Sequence, residues 1–335
     1  MGVLNICATL GIMAAQIMAG AALFSALGLN PTLGAVVLAI VVFIYCSISG
    51  MWGVMMTDSV QTIVIFFSTI ACIVFIAMNG GFDAMSAALP ETSFEFVPFS
   101  GEQLVMMLVP GALNGLISGA AFQRTASCKD EKVAFLAPII AAFALIPFVV
   151  MPVIIGMYGK AMFPDAPTAS ILFEVVLKMN PVLAGLMVAA VLSAVMSTMD
   201  IGLLNVTANT VNDIYYKTLN PNASQKALGR LSAMVTMGSG IIALVLALTS
   251  SSILSLLSQT YALMNAGGLV MVVGGVLWKK GTKQGAIASA FCGMAMILLT
   301  KVGVNIPYIG FTSLIPAIIA YVAVSLATQK KTANS

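Results

Sequence analysis

Long apolar stretches, separated by short polar segments, make up most of the 335-residue sequence. A run of about 20 apolar residues is long enough to cross the hydrocarbon core of a bilayer as a helix. The pattern predicts ten such spans, at residues 3–27, 33–49, 57–79, 103–122, 132–158, 181–206, 227–249, 253–278, 284–302 and 307–328. We therefore expect an all-α, polytopic membrane protein, with residues 1–330 as one transmembrane domain and residues 331–335 as a short cytoplasmic tail.

Composition supports the membrane class and narrows the function. The chain is 60% hydrophobic and 7% charged, whereas about a quarter of the residues of a soluble domain are charged. It contains no histidine, the commonest general base and zinc ligand. An intramembrane aspartyl protease is one alternative, but no Gly-x-Gly-Asp sequence surrounds Asp58 or Asp200. We expect a protein that is not an enzyme, and the small net charge of +3 gives no sign of nucleic-acid binding.

The basic residues predict how the chain is oriented, because cytoplasmic loops of membrane proteins are rich in Lys and Arg. If the C-terminus is cytoplasmic, only Lys160, Lys178 and Lys301 lie outside. The other eleven lie inside: Arg124, Lys129, Lys132, Lys217, Lys226, Arg230, Lys279, Lys280, Lys283, Lys330 and Lys331. We expect a multi-pass protein of the cell membrane, surrounded by lipid, with its C-terminus in the cytoplasm. The outer segment 163–178 is long enough for a short amphipathic surface helix.

Polar residues are concentrated in one segment, AAVLSAVMSTMDIGLLNVTANTVNDIY, at residues 189–215. It starts as an apolar helix of membrane length but places Ser193, Ser197, Thr198 and Asp200 within about two turns. An ionisable residue inside a span is costly, so it marks a functional site by default. Oxygen ligands of this kind suit a hard cation such as Na⁺.

The fourth span is interrupted by Pro110-Gly111 and Asn114-Gly115, in the sequence LVPGALNGLISGAAF. In transporters, a break of this kind frees backbone carbonyls in the middle of the membrane so that they can face a cavity. The alternative is a proline kink with glycine-mediated helix packing.

Three motifs resemble the sodium/solute symporter family, which carries solutes such as proline, pantothenate and sugars. The segment 189–215 resembles the family's signature helix. The sequence SGMWGVMMTDSVQ, at residues 49–61, resembles its Gly-Gly...Thr-Asp...Gln motif, with Met51 where a second Gly is usual. The sequence FQRTASCKDEKVA, at residues 122–134, resembles its Gln-Arg loop. The resemblance implies a LeuT-type core of two inverted five-helix repeats. The first repeat is expected to be incomplete here, because the motifs place the start of the chain at its third helix.

The resemblance also implies a sodium site formed by the backbone carbonyl of Ala194 and the hydroxyls of Ser197 and Thr198. Sodium is the only metal ion expected. The alternative is that Ser197 and Thr198 bond the carbonyls of their own helix or serve as small packing residues. We further hypothesise that Asp58, Asp200 and Ser197 form a second cation site or a protonatable relay. The alternatives are that Asp58 is a helix N-cap and that Asp200 bonds a neighbouring helix.

The solute is the least determined part of the prediction. The polar groups available near the middle of the membrane belong to the fourth and eighth spans: Asn114, Gly115, Ser118, Gln259, Tyr261 and Asn265. Gln259 and Asn265 serve equally well as links between helices. We expect sodium-coupled import of a small organic solute by alternating access, with an amino acid or carboxylate favoured over a sugar. The alternative is a truncated, non-transporting subunit or sensor of the same family.

Overall fold

The structure is a computed structural model that describes residues 2–95, 100–115, 117–166, 171–250, 252–304, 306 and 309–332. In these ranges the regular elements are helices, and no strand occurs. The α-helices are α1 (Gly2–Ala26), α2 (Pro31–Met78), α3 (Gly81–Ala88), α4 (Gly101–Gly115), α5 (Gly119–Ala126), α6 (Glu131–Met162), α7 (Ile171–Leu177), α8 (Pro181–Ala208), α9 (Gln225–Thr249), α10 (Ile253–Leu263), α11 (Val270–Leu277), α12 (Lys283–Lys301), α13 (Ile309–Thr312) and α14 (Leu314–Thr332). Wider π-helical turns extend α8 (Asn209–Leu219) and join α10 to α11 (Met264–Leu269). The predicted all-α fold class is confirmed.

Capping residues explain where the long helices begin. Asn30 precedes Pro31 and accepts a hydrogen bond from the Leu33 amide of α2 at 3.0 Å. Asp130 accepts one from the Val133 amide of α6 at 2.8 Å. An Asn or Asp side chain at this position satisfies an amide that has no partner in the helix. Proline fits the first helical position because it has no N–H to leave unsatisfied.

The predicted spans 33–49 and 57–79 lie in two helices that meet at a kink at Gly50, and the two helices together form α2. As one straight helix, 48 residues would rise about 72 Å, more than twice the roughly 30 Å of a hydrocarbon core. Gly50 interrupts it with φ 60° and ψ −158°, a conformation open essentially to glycine alone. Five helical segments in the described residues are long and apolar enough to cross a membrane, and α2 is one of them.

The structure contains two compact units, each built from separated parts of the chain. Unit 2 comprises Gln16–Pro98 and Thr125–Leu204. Its core joins α2, α3, α6, α7 and α8 through buried side chains that include Cys72, Ile76, Ile155 and Met187. The predicted outer amphipathic segment contains α7, whose Ile171, Val175 and Val176 are buried and whose Leu172 is partly buried.

Unit 1 comprises Met1–Ala15, Phe99–Arg124 and Asn205–Ser335. Its core includes Ile117, Met264, Leu269 and Tyr321. A buried polar cluster also belongs to this unit: Asn5 Nδ2 donates to Asn205 Oδ1 at 3.1 Å, and Asn205 Nδ2 donates to Thr9 Oγ1 at 3.0 Å. This cluster joins the start of α1 to the end of α8, as polar side chains commonly do between membrane helices.

Candidate cation and solute sites

Three oxygen atoms converge on one turn of α8. The Ser197 hydroxyl donates to the Ala194 carbonyl oxygen at 3.1 Å, and the Thr198 hydroxyl donates to the same oxygen at 3.1 Å. Bonding to a carbonyl three or four residues back is the alternative given above for an isolated Ser-Thr pair. The same geometry also suits a cation, because a hydroxyl oxygen that turns its proton away presents its lone pairs beside the carbonyl. The three oxygens predicted as sodium ligands therefore lie together.

Asp200 lies one turn further along α8 and has no exposed surface. Its Oδ2 accepts a hydrogen bond from the Tyr45 hydroxyl on α2 at 2.7 Å. A bond to a neighbouring helix is thus present at Asp200. Sequence reasoning missed Tyr45, although the hydroxyl of a tyrosine inside a span usually has a hydrogen-bond partner.

Asp58 lies in the part of α2 that follows Gly50. Tyr45, the partner of Asp200, lies in the part of α2 that precedes Gly50, so α2 carries both Asp58 and the hydroxyl that bonds Asp200. Asp58 is not a helix N-cap, because α2 continues on both sides of it; its own carbonyl accepts a hydrogen bond from Thr62 at 2.8 Å. The buried Oε1 of Gln61, one turn away, accepts no hydrogen bond from the described residues.

The predicted break in the fourth span is present between α4 and α5. Asn114 and Gly115 end α4, and the Asn114 carbonyl accepts a bond from the Ile117 amide at 3.1 Å. Ser118 precedes α5 and accepts a bond from the Ala121 amide at 3.4 Å. Gly119 is needed here, because a Cβ atom would lie 2.3 Å from Asn5 Nδ2.

The other predicted solute residues lie in or beside a second irregular turn of unit 1. Gln259 and Tyr261 belong to α10, and Asn265 belongs to the π-helical turn that follows it. Asn265 has no exposed surface, whereas Tyr261 is 41% exposed. The break in the fourth span packs against this turn, because Ile117 and Met264 share one core. Asn114 Nδ2 is also buried and donates to no described residue.

A comparison with solved structures identifies the fold. A solved structure of a Na⁺-coupled sialic acid symporter, in a substrate-bound outward-open state, matches this chain with a TM-score of 0.78. The match covers 97% of this chain and 73% of the other, at 18% sequence identity. The chain therefore has the LeuT-type fold.

The family model described as the Sodium:solute symporter family matches residues 2–293, so this chain belongs to that family. The sodium/pantothenate symporter of Haemophilus influenzae is 26% identical over 324 residues, which are 92% of this chain and 66% of the relative. The sodium/proline symporter of Escherichia coli is 27% identical over 328 residues, which are 91% of this chain and 64% of the relative. This chain thus spans about two thirds of the length of these relatives. The family resemblance inferred from the three motifs is confirmed.

Proposed function

We propose that this protein imports a small organic solute together with sodium by alternating access. The hydroxyls of Ser197 and Thr198, each 3.1 Å from the Ala194 carbonyl oxygen, carry the proposal. Sodium bound there stabilises the outward-facing state that accepts the solute. The membrane potential then drives uptake with about 2.3 kcal/mol per charge for each 100 mV.

The sodium site is tested by uptake into proteoliposomes at increasing sodium concentration. A panel of labelled amino acids and carboxylates first identifies a transported solute. Ser197→Ala and Thr198→Ala should each raise the sodium concentration for half-maximal uptake by about tenfold, because each removes an oxygen ligand. The matched control is Thr249→Ala, since Thr249 also bonds a carbonyl of its own helix, that of Val245 at 2.9 Å, but lies on α9. Unchanged sodium dependence in both α8 variants would contradict the site.

We also propose that Asp58, Asp200 and Ser197 hold a second cation or form a protonatable relay. The hydrogen bond from Tyr45 to Asp200 supports this proposal, because it holds the carboxyl group of α8 against α2, which carries Asp58. Asp200→Asn should lower the number of sodium ions carried with each solute molecule, or change the dependence of uptake on pH. The reversal potential of uptake in proteoliposomes measures the ion ratio. An unchanged ratio together with an unchanged pH dependence would exclude Asp200 from both roles.

The solute site is proposed at the two irregular turns of unit 1. The amides of Asn114 and Asn265 and the hydroxyl of Ser118 supply its hydrogen-bonding groups, with Gly115, Gln259 and Tyr261 nearby. The relatives named above take proline and pantothenate, both of which contain a carboxyl group, and we favour a solute of the same kind. Failure of the chain to transport any solute or to bind sodium would favour a non-transporting subunit instead.

A further inference from the structure

Three lysines are grouped where α11 is joined to α12. Lys279 and Lys280 lie in the connection, and Lys283 is the first residue of α12. All three side chains are exposed, and none forms an ion pair with a described residue. We call residues 278–283 the lysine turn. Like charges this close together repel one another, so the lysine turn favours an anion that neutralises them.

Unit 1, which contains the lysine turn, supplies almost no negative charge of its own. Its acidic residues are Glu102 and Asp213. Asp213 is paired with Lys217 at 2.7 Å, and Glu102 precedes the fourth span on the predicted outer side. Residues 214–335 contain nine Lys and Arg residues but no Asp or Glu. The charge that neutralises the lysine turn must therefore come from outside unit 1.

The lysine turn lies at the level of a membrane surface. Val276 and Leu277, at the end of α11, are each 77% exposed, as suits side chains that face lipid. Trp278 stands between them and Lys279, and Trp is enriched at the boundary between hydrocarbon and head groups. The chain thus changes from apolar to charged within three residues, which places the ammonium groups at the depth of the lipid head groups.

Hydrogen bonds to α14 fix the shape of the lysine turn. The Thr282 amide donates to Ser325 Oγ at 3.2 Å, and the hydroxyl oxygens of Thr282 and Thr328 share a hydrogen bond of 2.8 Å. The Gln329 side chain donates to the Lys280 carbonyl. A turn that is already held in one shape loses little conformational freedom when a ligand binds, which keeps the cost of binding small.

We infer that the lysine turn binds the head group of an anionic phospholipid in the leaflet on the predicted cytoplasmic side. Such a lipid offers a phosphate to the ammonium groups and acyl chains to the exposed end of α11, whereas a soluble phosphate offers only the first. Lysines beside a membrane span are attracted to the negative surface potential of this leaflet. The amides at the start of α12, next to Lys283, add to the attraction.

The fluorescence of Trp278 tests the site, because the chain has two Trp residues, Trp52 and Trp278. The full chain with Trp52→Phe is placed in phosphatidylcholine nanodiscs that contain either brominated phosphatidylglycerol or the same fraction of brominated phosphatidylcholine. Bromine on the acyl chains quenches a nearby Trp. Phosphatidylglycerol should bind at Trp278 about fivefold more tightly than phosphatidylcholine, the effect of one lysine at an anionic surface.

Trp52 gives the matched control. Its side chain is 73% exposed on α2, and residues 1–123, which contain α2, include no Lys or Arg. In the variant Trp278→Phe, the two brominated lipids should therefore quench Trp52 equally. High salt should leave this result unchanged but weaken the preference at Trp278, because the Debye length falls from about 10 Å at 0.1 M to about 3 Å at 1 M.

Substitutions in the Trp52→Phe chain separate the charge of the lysine turn from its shape. The combined variant Lys279→Gln, Lys280→Gln and Lys283→Gln should lower the preference at Trp278 to less than about twofold. Lys178→Gln, on the predicted outer side, should keep it. Thr282→Val keeps every charge but removes the bond to Thr328, and it should weaken the preference by about twofold or more.

Equal quenching of Trp278 by the two brominated lipids would overturn the assignment. So would an unchanged preference in the combined lysine variant, whose exposed side chains are replaced without disturbing the core. A preference that Thr282→Val leaves intact would mean a diffuse attraction to the surface and would overturn the site. Displacement of phosphatidylglycerol by inorganic phosphate at constant ionic strength would identify a soluble anion as the occupant and overturn it too. These measurements need neither sodium nor transport, so their failure is distinguishable from failure of the proposed function.

Discussion

At the scale of single residues, the hydrogen bond from Tyr45 to Asp200 shows how a carboxyl group is accommodated in the interior of a membrane protein. The bond is 2.7 Å long, and Asp200 has no exposed surface. A hydroxyl that donates to an ionised carboxylate replaces part of the hydration that the charge loses on burial. Tyr45 therefore stabilises unit 2 by holding two of its helices together.

Tyr45→Phe should lower the free energy of unfolding by about 1–2 kcal/mol, the range for a hydrogen bond to a charged group or between membrane helices. Denaturant titration in detergent measures the change. Tyr158→Phe is the control, since Tyr158 is also buried in unit 2 but its hydroxyl bonds no described residue. If both variants lose the same stability, the bond to Asp200 contributes nothing specific.

The sequence predicted that Ala194, Ser197 and Thr198 lie together on α8, but not that Tyr45 bonds Asp200. Ala194, Ser197 and Thr198 lie within one helical turn, so their proximity follows from helix geometry alone. Tyr45 and Asp200 are 155 residues apart, and no periodicity in the chain indicates which helices are neighbours. Likewise, the alternative that Asp58 is an N-cap is wrong, because its helix already begins after Gly50. Hydropathy alone does not show at which residue a helix begins.

At the scale of elements, the kink in α2 depends on one residue, Gly50. Its two parts meet at Gly50, where φ is 60° and ψ is −158°. The sequence predicted two spans here, at residues 33–49 and 57–79, with a short connection between them. The structure also has two helices, and the second begins directly after Gly50, because a single residue without a Cβ can change the chain direction.

Gly50→Ala should destabilise the protein by about 1–3 kcal/mol, since alanine has to adopt a conformation that it rarely occupies. Gly229→Ala, in the second turn of α9 with open space around it, should instead stabilise the protein by up to about 1 kcal/mol. Thermal unfolding of the two variants in detergent tests this difference in sign. A similar gain in both would mean that the break in α2 does not require glycine.

At the scale of the whole molecule, the charge distribution predicts orientation. Eleven of the 14 basic residues lie on one predicted side. Cys128 lies in the connection between α5 and α6, beside the basic Lys129, and this connection is predicted to be cytoplasmic.

A variant that keeps only Cys128 among the five cysteines tests the orientation. An impermeant maleimide should label it in permeabilised cells but not in intact cells. The control places a cysteine at the predicted outer side, as Glu91→Cys with Cys128→Ser, and this variant should react in intact cells. Labelling of Cys128 in intact cells would reverse the predicted orientation.

The buried cluster of Asn5, Thr9 and Asn205 has a consequence for synthesis. Asn5 and Asn205 are 200 residues apart in the chain, and a ribosome adds about 5–20 residues each second. The amide of Asn5 therefore waits about 10–40 seconds for its partner after it has been made. Unit 2 is fully synthesised at Leu204, one residue before Asn205. The first turns of α1 must consequently stay open, with their polar side chains unsatisfied or temporarily hydrated, while the whole of unit 2 is inserted into the membrane.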